Sequence, residues 1–187
     1  MKPLSELVRL GKRLRAVGFD DAPFEKRPGA PVSVSGIVCA GPRFEGMVWG
    51  QATVDGADAT DTLAGMLLGS KFHPQVHLVL LDGVTLGGFN VVDLPALAER
   101  LERPCVAVMR RRPNLPAIAH AVSRLPDAER RLALIRKAGP IHEEGGFVFQ
   151  VQGAPPGPIP AALAYLTDQG GVPEPLRLAH LIGLMWS

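Results

Sequence analysis

The chain has 187 residues, 47% hydrophobic and 20% charged, which suits one domain with a sizeable core and excludes wholesale disorder. Two cysteines, Cys39 and Cys105, are too few for a disulfide framework or a structural zinc site. No apolar run approaches the roughly 20 residues of a bilayer span, and Met1 to Lys12 lacks the unbroken apolar stretch of a signal peptide, so the expectation is a soluble cytoplasmic protein with no membrane partner.

The N-terminal residues 1–12 read as a short helix or arm. Arg13 to Asp20 is an apolar strand ending on acids, and Pro28-Gly29 marks a turn. Val32 to Ala40 alternates Val and Ile with Ser as a second strand, Gly41-Pro42 breaks it, and Glu45 to Val54 is a third. Turns this short make the three strands consecutive antiparallel neighbours.

The pattern then changes. Leu63, Met66 and Leu67 lie at helical spacing within Asp58 to Ser70. Val76 to Leu81 is a continuous apolar run, as a strand buried on both faces requires. A Gly-rich loop, Gly83 to Asn90, follows. Leu94, Leu97, Ala98 and Leu101 predict a helix opened by Asp93, and Cys105 to Met109 another buried strand. Strand, helix and strand in that order demand a right-handed parallel crossover.

Helical patterns cover Ile118–Val122 and Asp127–Lys137. A weak strand pair follows, Ile141–Glu143 and Phe147–Val151. Ala161 to Thr167 is helical, and a last helix opens at Pro175 and runs through Leu184. The predicted architecture is a single α/β domain over residues 1–187. Its mixed β-sheet has three antiparallel strands followed by parallel ones, with helices on both faces, the element order of the ribonuclease H-like architecture.

The net charge of +2 hides an asymmetry. Residues 100–137 carry ten Lys/Arg against three acids, +7, which leaves the remainder at −5. Such a split fits an anion-binding face beside an acidic one, or a solvated helix surface.

Chemistry is expected where strands end. Asp20 closes the first strand and Asp82 the central one, so both carboxylates project from one edge if those strands are neighbours. Two such carboxylates repel unless a cation lies between them, and hard oxygen donors suit Mg²⁺ or Mn²⁺. One or two such ions would activate water for phosphodiester cleavage. Asp82-Gly83 is also a common turn dipeptide.

Asp58 is the expected third ligand, in a cluster with Asp55 and Asp61; an N-cap role fits it as well. His180 on the last helix suits a metal ligand or proton shuttle, or a half-buried helix histidine. Arg110 and Arg112 leave the strand after the crossover and are candidates to hold phosphate. The Gly-rich loop is neither a phosphate-binding P-loop nor a dinucleotide fingerprint, and no G-x-S-x-G elbow occurs. Cys39 and Cys105 read as small core residues.

Val17-Gly18-Phe19-Asp20-Asp21, Asp55 to Thr60, Leu81 to Asp93 and Pro173 to His180 together resemble an uncharacterised, mainly archaeal family of unknown function related to endonuclease V. The resemblance spans nearly the whole chain, and Leu81 to Asp93 is its most specific part. It implies a ribonuclease H-like fold and an acid-held Mg²⁺ that serves cleavage of a phosphodiester bond near deaminated bases. The first- and central-strand aspartates of endonuclease V match Asp20 and Asp82. Its next ligand is a glutamate, for which this chain offers Asp58 or Asp61. Its strand-end lysine has Arg110 as nearest counterpart, and its Pro-Tyr-Ile-Pro wedge is absent.

The expectation is a Mg²⁺-dependent endonuclease-like protein acting on DNA or RNA. Asp20, Asp58 and Asp82 bind metal, His180 assists proton transfer, and Arg110 and Arg112 contact phosphate. The rivals are a non-catalytic nucleic-acid-binding or regulatory module that retains the fold, and a small-molecule phosphate enzyme using the same acids. Aromatic residues, at 5%, are too sparse for extensive base stacking along a single strand.

Overall fold

The computed structural model describes residues 2–10 and 13–186; Met1, Gly11 and Lys12 of the expected N-terminal arm lie outside the described residues. Nine strands and seven helices appear among them: α1 (Leu4–Arg9), β1 (Arg15–Asp21), β2 (Pro31–Ala40), β3 (Arg43–Thr53), α2 (Ala59–Leu68), β4 (Leu78–Asp82), β5 (Thr85–Leu86), β6 (Asn90–Val91), α3 (Leu94–Leu101), β7 (Cys105–Met109), α4 (Leu115–Val122), α5 (Ala128–Lys137), β8 (His142–Glu144), β9 (Phe147–Gln152), α6 (Ile159–Tyr165) and α7 (Glu174–Leu184).

Seven strands form one mixed sheet in the order β3-β2-β1-β4-β7-β9-β8. The first three pair antiparallel, β1 pairs parallel with β4, and β4 pairs parallel with β7 across the α3 crossover. β9 returns antiparallel to β7 and carries β8 on its outer edge.

The strand alternation divides the core. Val17, Phe19, Val79, Leu81, Cys105 and Ala107 face α2 and α3. Ala16, Leu78, Leu80, Val106 and Val108 face α1, α6 and Leu176 of α7. The unbroken apolar run of β4 follows from this, since its side chains are buried on both faces. α3 places Leu94, Leu97, Ala98 and Leu101 inward, and Asp93 caps it by accepting from the Ala96 amide at 3.1 Å.

Both cysteines are free and buried, and desolvation pushes both thiols up, that of Cys39 to about 12, which keeps them protonated core residues. Among the described residues no helix is long and apolar enough to cross a membrane.

Two features were not predicted. The Gly-rich loop holds a small hairpin, β5–β6, turned by Gly87 and Gly88 at φ 52° and 83°, a conformation that suits glycine. A single 3₁₀ turn, His73–Gln75, leads into β4.

Candidate metal and nucleic-acid site

Phe19 pairs with Leu81 at the last register step between β1 and β4, so Asp20 and Asp82 stand side by side where the two parallel strands end. Each lies two residues on from an inward residue of the α7 face (Gly18 and Leu80), and a strand alternates with period two, so both carboxylates point to that face. Asp20 is 6% exposed and Asp82 is exposed.

The Asp20 carboxyl is pushed up to about 7. Burial is the largest cause, the charges of Asp82 and Asp21 add to it, and hydrogen bonds from His180 and the Asp21 amide oppose it. His180 Nδ1 lies 3.1 Å from Asp20 Oδ2, and the Asp21 amide donates to Asp20 Oδ1 at 2.9 Å.

His180 is delivered by α7, which lies against β1 and β2. That approach depends on Gly18, because a Cβ there would meet the Pro175 carbonyl carbon at 2.5 Å. Ser35 Oγ also donates to the Ala179 carbonyl at 3.1 Å, fixing the helix one residue before His180. Sequence reading missed Gly18 as a positioning residue; a glycine inside an otherwise apolar strand was the available signal. His180, Asp82, Arg110 and Arg177 line a cavity of about 90 Å³.

Asp21 faces the other side of the sheet. Its Oδ2 accepts from the Gly87 amide at 2.5 Å and ties β1 to the β5–β6 hairpin, while burial, the largest influence, raises its carboxyl.

Asp58 is placed differently from the expected ligand. Its oxygens accept from the Thr53 amide at 3.1 Å, Thr53 Oγ1 at 2.7 Å and Asn90 Nδ2 at 2.6 Å. Burial works against its charge, but these bonds outweigh it and hold the carboxyl below its ordinary range. It occupies the N-cap position of α2 without making the capping bond, which Asn90 Oδ1 supplies by accepting from the Ala59 amide at 3.0 Å. Asn90, fully buried, also donates to the Thr53 carbonyl, so one carboxamide joins β3, α2 and the hairpin. Asp61 pairs with Arg100 on the surface. Among the described residues no three His, Cys, Asp or Glu side chains converge as a metal cage.

The basic segment is largely engaged internally. Arg112 pairs with Glu143 at 3.0 Å and Lys137 with Asp93 at 2.6 Å. Arg103 donates to the carbonyls of Val76, His73 and Glu102. Arg131, 5% exposed, donates to the carbonyls of Pro126, Gly56, Asp55 and Phe89, clamping two loops onto α5. Arg110 and Arg111 remain beside Asp82 on an open cleft of about 560 Å³, which Arg112 also lines. The geometry is thus an anion-receptive cleft leading to two adjacent carboxylates and a histidine.

The family described as endonuclease dU matches residues 12–186. A UPF0215 protein of Deinococcus radiodurans is 41% identical over 168 residues, covering 89% of this chain and 86% of its own. A protein of unknown function from Archaeoglobus fulgidus is 35% identical, with a TM-score of 0.86 over 91% of this chain and 96% of that one.

Endonuclease V of Bacillus subtilis shares the fold at 12% identity, TM-score 0.60, over 90% of this chain and 78% of that one. Endonuclease V of Ciona intestinalis, in complex with DNA containing an inosine, does so at 14% identity, TM-score 0.55, over 94% and 91%. The fold is therefore ribonuclease H-like, and the chain belongs to the endonuclease dU family, whose architecture is that of endonuclease V.

Proposed function

We propose that this protein is a divalent-metal-dependent endonuclease that hydrolyses a phosphodiester bond in nucleic acid at deoxyuridine. The observation that carries the reading is the pairing of Asp20 with Asp82 at one sheet edge beside His180. The family description supplies the substrate class.

The donor set fits a hard cation. Two carboxylates meet, and desolvation and its neighbour's charge push the buried one up to about 7, a conflict that Mg²⁺ or Mn²⁺ relieves. Asp20 and Asp82 would hold the ion, which supplies Lewis acidity and lowers the pKa of bound water. Asp58 has a structural role in this reading, since its bonds hold the start of α2.

The chain's own residues do the rest. Asp20 orients the His180 ring through Nδ1, leaving Nε2 to take a proton from attacking water or return one to the leaving oxygen. Arg110 and Arg111 place the phosphate over the carboxylates, with Arg112 at the rim.

Cleavage of an oligonucleotide bearing one deoxyuridine, with Mg²⁺ or Mn²⁺ added, tests the reading. Wild type is expected to cut it, and Asp82→Asn to lose about a hundredfold or more. Metal-independent cleavage, or an active Asp82→Asn variant, overturns it.

One observation favours the second reading, a nucleic-acid-binding module without turnover. Among the described residues the carboxylates do not form a cage of three. Salt-sensitive binding with no cleavage under any divalent ion supports that alternative.

A further inference from the structure

A second cavity, of about 320 Å³, opens beyond the end of β4, on the sheet face opposite the one to which the carboxylates point. It shares Gly83, Met109 and Pro113 with the phosphate cleft, and Gly83 directly follows Asp82. Its walls are apolar, from Val84, Ile118, Ile135 and Ile141. Thr85, Arg136 and Gln150 are its polar side chains, and of the three only Gln150 of β9, 6% exposed, is buried.

Gln150 Nε2 donates to the Gly139 carbonyl at 2.7 Å. Its carboxamide oxygen has no hydrogen-bond partner among the described residues. No fully enclosed side-chain nitrogen or oxygen among them lacks a partner, so this oxygen is not sealed off, and the cavity is the space that Gln150 lines. The Gly139 carbonyl can only accept, so it fixes which way the amide points. The cavity therefore presents an acceptor, with the second Nε2 hydrogen beside it, in an orientation that a ligand cannot invert without breaking the bond to Gly139.

We infer that this cavity receives the target base unstacked from the strand, and that Gln150 reads it as uracil. The inference rests on the proposed endonuclease activity for its substrate and adds the residue that selects the base. Uracil offers an N3–H donor flanked by carbonyl acceptors, which fits the oxygen and N–H of a fixed carboxamide. Cytosine offers an acceptor at N3 and an amino donor at C4, which opposes both. Since deamination converts the second base into the first, this pair is the one such a site must separate. A site built around a buried acceptor rejects a base that leaves it unpaired. The apolar walls sandwich the ring, and Gly83 allows the backbone close to the sugar, as a base taken out of the stack requires.

Methyl NMR of the Asp82→Asn protein with Ca²⁺ tests this, using single-stranded pentanucleotides with a central deoxyuridine, deoxycytidine or 3-methyldeoxyuridine. Deoxyuridine is expected to shift the Ile118 and Ile135 methyls and to bind about tenfold more tightly than either of the others. Gln150→Leu is expected to erase that difference, and Ile118→Trp, which fills the cavity, to weaken all three alike. The 3-methyl strand probes the N3–H with the protein unaltered, so a misfolded variant does not decide the matter.

No shift at these methyls, or discrimination that survives in Gln150→Leu, overturns the inference. Cleavage by the wild type separates it from the function proposed above. Selective uracil binding without cleavage leaves the pocket standing and removes the endonuclease; equal cutting at uracil and cytosine does the reverse.

Discussion

Gly18 and Pro175 touch so closely that no side chain fits between them: a Cβ on Gly18 would lie 2.5 Å from the Pro175 carbonyl carbon and 2.7 Å from the Leu176 nitrogen. These are backbone atoms of the first turn of α7, so they cannot rotate aside. Gly18→Ala is expected to push that helix off β1, at a cost of about 1–3 kcal/mol. Urea unfolding measures the loss. Histidine NMR is expected to show His180 released from Asp20, and cleavage to fall further than stability alone explains.

Asp20 gives a pH dependence of stability with a definite sign. Its proton is held to about 7 in the folded chain against an ordinary value of 3.8. Between those values the native state binds more protons than the unfolded one, so rising pH weakens the metal-free protein, and the loss is complete above about pH 7. Asp20→Asn removes this titration. Relative to wild type, the variant is expected to gain on the order of 2 kcal/mol between about pH 4 and pH 8 in EDTA. Denaturant titrations at the two pH values check it, and equal slopes for both proteins contradict it.

Asp58 and Asp82 are expected to separate stability from metal binding. Asp58→Ala removes the acceptor for two amide donors and a hydroxyl, and should cost about 2–3 kcal/mol while leaving Mn²⁺ affinity within roughly twofold. Asp82→Asn should do the opposite, with affinity falling about tenfold or more and thermal stability little changed. Mn²⁺ titration by electron paramagnetic resonance, alongside thermal melts, reads both.

Arg131 is buried among carbonyls from three stretches of chain, at Asp55–Gly56, Phe89 and Pro126. Arg131→Met keeps much of the apolar stem and deletes every one of those donors. The orphaned carbonyls make a loss of about 3 kcal/mol the expectation, read by chemical denaturation. Amide exchange should rise at residues 55–56 and 87–89 before it rises in the sheet.

Arg110 and Arg111 should act on affinity and not on folding. Each changed to Gln is expected to lower the slope of log binding constant against log salt by about one, with unchanged melting. Fluorescence anisotropy across a salt series measures this. The same substitution at Arg112, already paired with Glu143, should change the slope less.

Much of this fold was legible because hydrophobic periodicity is local. The continuous apolar run in β4 and the i, i+3, i+4, i+7 spacing of α3 each announce their burial, whereas the alternation in β2 marks a strand but not that Ser35 too is buried under α7. Asp20 and Asp82 were legible as strand-end acids once the strand order was inferred. Asp58 was harder to read, because two roles fit a helix-start aspartate and the deciding partner, Asn90, lies 32 residues away. The basic segment looked like one face because charge was counted along the chain; in space, three of its cations meet Asp61, Glu143 and Asp93. Gln150 gave no sequence signal, since what singles it out is a carbonyl across the cavity wall that determines its orientation.

The span from Asp20 to His180, 160 positions along the chain, has a consequence for biosynthesis. A nascent polypeptide emerging from the ribosome already carries both aspartates and can pair β1 with β4 long before α7 exists. Until that helix is released from the exit tunnel and seats on Gly18, the acids lack their histidine. The proposed centre is thus completed only once α7 has been made, and a product interrupted before it would hold the paired carboxylates without the histidine proposed to move the proton.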